Sequence, residues 1–316
     1  MPLLLSPLVL KVGTESDKGK LFGCENIVPK WVESDSYTGR AHLTISDLSL
    51  NYITRLTYLF KACAGCFPED WQSLPIIFLT PAFSSKEHTK VLFNSYCKAL
   101  PLLSEHKQLF FYPYGRAASL LAIKQIEQLL SGNNTSRVLI VGVDSHHKLC
   151  PTSQEACDSH YEESHITACD SMAVIQVEFS EQGLVTHWHG KSAQAKVNEK
   201  GQGVANLFYM LNKQSDLSID AIHLPLNNTT KMANEWLEQL PGIASLLSSE
   251  LKCLFNGIRV GDLGTTMGIF NLLHTQSLYQ NGELETDQAI LQLDLSDGLY
   301  QSAVLFGWQN EISDAA

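Results

Sequence analysis

Histidine and cysteine crowd one stretch of this chain. His146, His147, Cys150, Cys157, His160, His165 and Cys169 follow one another within the segment 146–169. Such a density of nitrogen and sulfur donors could hold zinc. The spacings match no standard zinc pattern, so a polar surface loop without a metal is the expectation. Cys63-Ala64-Gly65-Cys66 is a CxxC. A redox CxxC needs a strand before it and a helix after it. Here residues 58–64 read as the end of a helix and Phe67-Pro68 breaks the chain, so the pair is read as incidental. No Gly-x-Ser-x-Gly elbow, Gly-x-Gly-x-x-Gly turn or P-loop occurs, and no cofactor is expected. Two charged residues stand at helix openings. Arg116 follows Gly115 and could present a fixed guanidinium fork to a carboxylate or phosphate. Asp262 precedes Gly264 and suits a helix cap.

The elements that position these residues can be read from patterning. Residues 75–80 (PIIFLT) form a short apolar run typical of a strand buried on both faces. Ser84-Ser85 then offer an N-cap to a helix that ends before Pro101, and residues 109–112 (LFFY) read as another strand. From Gly115 the chain reads as a helix to Ser131-Gly132, a polar loop, and a strand over 138–143. The same plan recurs from Gly264: a helix to Asn281-Gly282, a polar loop, and a strand over 289–295. The opening glycine lies 17 residues before the stop glycine in one copy and 18 in the other. From stop glycine to the strand-end aspartate, Asp144 or Asp294, the distance is 12 in both. This is a candidate internal repeat of a strand–helix–strand unit, although right-handed crossovers of similar length look alike. The expected boundary lies near residue 180, with halves at 1–180 and 181–316. The second half should bring a strand at 184–189, a helix near 203–213, a strand at 219–224 and a helix over about 230–240. The segment 1–70 carries no legible motif.

With 316 residues, 44% of them hydrophobic, the chain can bury a large α/β core. No apolar run approaches the length of roughly 20 residues that a membrane-spanning helix needs. The apolar start, residues 1–12, lacks a basic region and a cleavage site, so a buried first strand is expected rather than a signal peptide. The formal net charge is −11, and no basic stripe offsets it. That argues against nucleic acid or anionic lipid as a partner, and it would also repel an acidic carrier protein. Eight scattered cysteines without an export signal point to reduced thiols in a cytoplasm.

Four stretches, in order, resemble the β-ketoacyl synthases of the thiolase superfamily. They are GRAASLLAI…LLSG…RVLIVGVDS (115–145), TACDSMAVIQVE (167–178), IDAIHLPLNNTTKMANEW (219–236) and GDLGTTMG (261–268). Each match is loose; their order and spacing carry the resemblance, over about 75–316. It implies a thiolase-like duplicated αβαβα five-layer sandwich with the site where two central helices meet. It also implies Claisen condensation of acyl thioesters, acyl-CoA or acyl-carrier protein as ligand, and dimerisation.

The resemblance places the family's nucleophilic cysteine on Arg116, or on Gly115, and neither can form an acyl-enzyme. The family's first histidine falls on Leu224 or Pro225. His223 is its neighbour, and one residue along a strand turns a side chain to the other face. The second histidine falls on Asp262, which cannot donate to an oxyanion unless protonated. Asn227, Glu235 and Gly264 match other ligand-binding positions. The expected function is that of a degenerate condensing-enzyme homologue that binds an acyl thioester or a partner subunit, as a homodimer or paired with an active ketosynthase. The alternatives are an acyltransferase using atypical residues and a structural homodimer with a vestigial pocket.

Overall fold

The structure is a computed structural model and describes residues 1–23, 27–33, 37–132, 135–151, 166–193, 201–296 and 299–310. The strands are β1 (Leu3–Val12), β2 (Lys30–Glu33), β3 (Thr38–His42), β4 (Ile76–Leu79), β5 (Leu109–Tyr112), β6 (Arg137–Ser145), β7 (Ala168–Phe179), β8 (Gly183–Ala193), β9 (Ile219–His223), β10 (Leu247–Leu254), β11 (Ile290–Leu295) and β12 (Tyr300–Gln309). The helices are α1 (Lys18–Phe22), α2 (Tyr52–Ala64), α3 (Lys86–Ala99), α4 (Ala118–Ser131), α5 (Gln202–Gln214), α6 (Thr230–Leu237), α7 (Asn256–Val260) and α8 (Met267–Gln280).

Strand order repeats. It runs β5-β4-β6-β7-β1 and then, reversed, β8-β12-β11-β9-β10. In each set three strands are parallel (β4, β5, β6; β9, β10, β11) and the remaining pairings are antiparallel. The two sets meet at a single pairing of Leu3 with Leu184, in β1 and β8.

Apolar alternation on these strands builds five layers. One face of β4, β6 and β7 offers Phe78, Val141 and Val174 to Leu56 and Phe60 of α2 and Leu92 and Tyr96 of α3. The opposite face, with Ile77, Ile140 and Ile175, packs on Leu120 and Ile123 of α4 and Ile269 and Leu273 of α8. Those helices also cover Ile290 of β11 and Val304 of β12. The far face of that second set, with Leu291, Leu293 and Leu305, packs on Leu207 and Phe208 of α5 and Trp236 of α6. Helices α4 and α8 are therefore the central layer. Because α8 is buried nearly all round, its polar residues need internal partners. Gln276 shows one solution: its amide accepts from Leu5 N (2.9 Å) and donates to Leu5 O (2.8 Å), which ties α8 to β1.

Several expectations need correction. The glycine-opened helices begin later, because 115–117 and 264–266 are 3₁₀ turns ahead of α4 and α8. The helix at 230 stops at Leu237, and a 3₁₀ segment and the unexpected strand β10 follow. Ser85 stands at the N-cap of α3, but its hydroxyl faces His88 rather than a backbone N–H. The Cys/His-rich stretch is not wholly a surface loop: His146, Cys150 and Cys169 are buried. Cys157, His160 and His165 lie outside the described residues. Among the described residues no cluster of His, Cys, Asp and Glu could hold a metal. The first strand expected over residues 1–12 is β1, whereas the rest of the segment 1–70, which carries no legible motif, supplies α2 to the outer layer.

Candidate functional site

Arg116 and Asp262, 146 residues apart, meet where the two 3₁₀ turns face each other. Arg116 Nε donates to Asp262 Oδ1 (3.1 Å) and Nη2 donates to Oδ2 (2.5 Å). This is a bidentate pair between planar groups, the strongest geometry for an Arg–carboxylate contact. It is nearly dry, with side chains 10% and 1% exposed.

Each partner is held by its element. Asp262 N donates to Thr167 O (2.9 Å), which fixes the turn against β7. Ser171 Oγ donates to Leu263 O (2.9 Å) and reinforces it. Asp262 Oδ1 also accepts from Gly264 N (3.0 Å), closing a tight turn just ahead of the 3₁₀ segment, whose N-cap position is taken by Leu263 rather than by the aspartate. Asn227, in the loop after β9, adds Nδ2 to Asp262 Oδ2 at 3.1 Å. Thr229 Oγ1 orients that amide by donating to Asn227 Oδ1 (2.7 Å). Trp236 Nε1 donates to Pro225 O (2.7 Å) and pins the loop to α6.

Asp144 holds the other side of the turn. It accepts from Tyr52 Oη (2.7 Å), Ser145 N (2.7 Å) and Thr265 N (2.6 Å). Gly264 is required here for two reasons. Its φ is +55°, and a Cβ would stand 2.2 Å from Asp144 Oδ2. Gly115 opens the facing turn with φ +56°.

Burial opposes charge on Asp262, but Arg116 and the Asn227 amide hold its carboxyl well below the usual carboxylate range. It is a committed anion matched to a committed cation. Burial pushes Asp144 up to about 6, against the hydrogen bonds from Thr265, Tyr52 and Ser145. His146 is beside the pair, and burial, with His147 stacked on it, lowers it to about 3. It is a neutral imidazole at physiological pH. Cys169, in β7 beside Asp262's turn, faces Val260 O and Thr167 O with its Sγ. Burial, with Asp262 and Asp170 nearby, pushes it far above the ordinary thiol range, so it is inert as a nucleophile.

The structure thus brings Gly115, Arg116, Asn227, Asp262 and Gly264 into one site. His223 joins a different cluster: it is buried at the end of β9, beside Asn256 and His274. Glu235 is half-buried on α6. Sequence reasoning missed Tyr52, and it missed a second buried ion pair altogether. Arg55 donates to Asp170 through Nε (2.9 Å) and Nη2 (2.8 Å), with both side chains fully buried. Its signal was available: Arg55 is the one charge in residues 52–60, an otherwise apolar helical run.

Comparison with known proteins bears on the whole chain. The ketosynthase from module 1 of the bacillaene synthase of Bacillus amyloliquefaciens FZB42 superposes with a TM-score of 0.65 at 8% identity, over 99% of this chain and 74% of that one. The ishigamide ketosynthase/chain length factor gives 0.61 at 10% identity, over 98% and 100%. 3-Oxoacyl-[acyl-carrier-protein] synthase III from Aquifex aeolicus VF5 gives 0.53 at 11% identity, over 97% and 98%. The chain has the thiolase-like fold of the ketosynthases. No family model and no curated protein matches it by sequence. Within this thiolase-like fold the Arg116–Asp262 pair occupies the opening of the two central helices, and no cysteine lies between Cys97 and Cys150. No described helix is long and apolar enough to cross a membrane.

Proposed function

We propose that this chain is a ketosynthase-like protein whose condensing site is closed by an internal salt bridge, and that it acts as a non-catalytic binding or partner subunit. The observation that carries this reading is the bidentate Arg116–Asp262 pair with the Asn227 amide on the aspartate. Condensation needs a thiolate to hold the acyl group and neutral donors to hold the oxyanion. Arg116 has no nucleophilic atom, and a carboxylate kept ionised by an arginine donates nothing. Of the nearby groups, Cys169 is a buried thiol held far above the ordinary thiol range and cannot supply the thiolate.

The repeated strand order supports reading residues 1–180 and 181–316 as two similar halves. The half-buried strand β5 pairs with β4 on one side and, among the described residues, ends the sheet on the other. Such an edge suits a second subunit, a copy of this chain or an active ketosynthase. Acyl-CoA or an acyl-carrier protein is the ligand class, and because the net charge of −11 opposes either anion, its charge has to be met by a local basic patch. The free thiols of the described residues fit a cytoplasmic setting.

The test is turnover and trapping. The purified protein is incubated with acyl-CoA or acyl-carrier protein and the malonyl thioester, then assayed for 3-oxoacyl product and carbon dioxide and weighed intact. No product and no adduct is the expected result. A covalent acyl adduct, or product lost on substituting Arg116 or Asp262, would instead establish an acyltransferase with atypical residues.

A further inference from the structure

A second buried polar cluster lies away from the Arg116–Asp262 site, between the C-terminal half of the sheet and α8. Its hub is Asn256. Arg259 Nη2, which can only donate, gives a hydrogen bond to Asn256 Oδ1 (3.2 Å), and this fixes which way the amide faces. Asn256 Nδ2 therefore points at Asn271 Oδ1 (2.9 Å), His274 Nδ1 (3.0 Å) and His223 Nδ1 (3.4 Å). An amide NH₂ has two hydrogens for these three neighbours, the His223 contact being the longest, and facing both Nδ1 atoms it favours the tautomer in which they accept. Each imidazole then carries its proton on Nε2.

For His223 that Nε2–H has no partner among the described residues, although the side chain is 1% exposed. The neighbouring strand supplies a complementary orphan. Gln292 is the register partner of His223 across β9 and β11, so both side chains rise from the same face about 5 Å apart. Gln292 Nε2 donates to Gly268 O and to both oxygens of Asp294 (3.1 Å each), which leaves Oε1 on the other side of the amide. That Oε1 is buried and unpaired among the described residues.

We propose that His223 Nε2 and Gln292 Oε1 form a built site for one tightly held structural water. The two groups select the ligand. A cation is refused by the Nε2–H donor, and an anion by Oε1 and the adjoining Asp294 carboxyl. Water accepts from the histidine and donates to the glutamine, within the two to four partners such a molecule normally makes. The bound water completes a continuous buried chain from Asn256 through His223 and Gln292 to Asp294. It couples α7 and α8 to β9 and β11. This inference is independent of whether the Arg116–Asp262 site catalyses anything.

Two measurements on the intact chain test it. In a crystal structure that resolves ordered solvent, a single peak is expected at about 2.7–3.2 Å from both His223 Nε2 and Gln292 Oε1. In a long-range ¹H–¹⁵N spectrum, His223 is expected as the Nε2–H tautomer at neutral pH. A direct His223–Gln292 hydrogen bond with no intervening peak would overturn the proposal. So would an Nδ1–H tautomer, or a peak with metal-like coordination distances.

Discussion

Removing Arg116 should be costly for stability, and its cost should depend on Asp262. Arg116→Met keeps much of the side-chain volume but strips Asp262 of its counter-charge, while the carboxylate stays 1% exposed. Breaking one partner of a buried pair costs about 3–5 kcal/mol. The lower end applies here, because Asn227 Nδ2 and Gly264 N still donate to Asp262. Asp262→Asn retains an acceptor for Gly264 and removes the negative charge. The double variant Arg116→Met/Asp262→Asn buries no unpaired charge, so its loss should fall short of the sum of the singles by about 2 kcal/mol. Urea denaturation of all four proteins reads this directly. The pH dependence supplies a second arm. In the wild type the Asp262 carboxyl is depressed, so its contribution is present above its unfolded value near 4 and is lost as the pH falls through the folded one. The difference between the wild type and Arg116→Met should therefore shrink as the pH falls below about 4. Additive single losses, or an Arg116→Met protein as stable as the wild type, would refute the closed-site argument.

Burial drives Asp294 up to about 7, with the Gln292 amide opposing it. A carboxyl raised in the folded state costs stability as pH rises from about 4 towards 7, by an upper bound of about 4 kcal/mol. Asp294→Asn should flatten that slope, as measured by thermal melts between pH 4 and 8. Arg55→Met should destabilise by about 3–5 kcal/mol because Asp170 loses its cation. It should also speed hydrogen exchange at Thr44 and Ile45, whose N–H groups donate to Asp170 Oδ2 at 2.8 and 3.0 Å. Gly264→Ala should cost about 2 kcal/mol or more, from the left-handed backbone and the contact with Asp144, and unfolding by denaturant measures it.

Patterning alone determined the strand–helix–strand units, because alternation and helical spacing are local properties of the chain. The order of β4, α4 and β6, and of β9, α8 and β11, follows from apolar runs separated by glycine stops. Sequence also placed Arg116 and Asp262 at helix openings, where a charge invites attention. It could not pair them, since 146 residues separate them and only the packing of α4 against α8 brings their turns together. The same limit hid Arg55–Asp170 and the Asn256 hub, each assembled from residues on different elements. Strand β10 escaped because none of its residues is buried at this sheet edge, so it lacks the apolar signature of a buried strand. His223 shows the division most plainly. Its place on the inner face of β9 follows from strand alternation, but its partners Asn256 and His274 come from α7 and α8. Local periodicity thus decides which face a side chain takes, whereas long-range packing decides what it meets there.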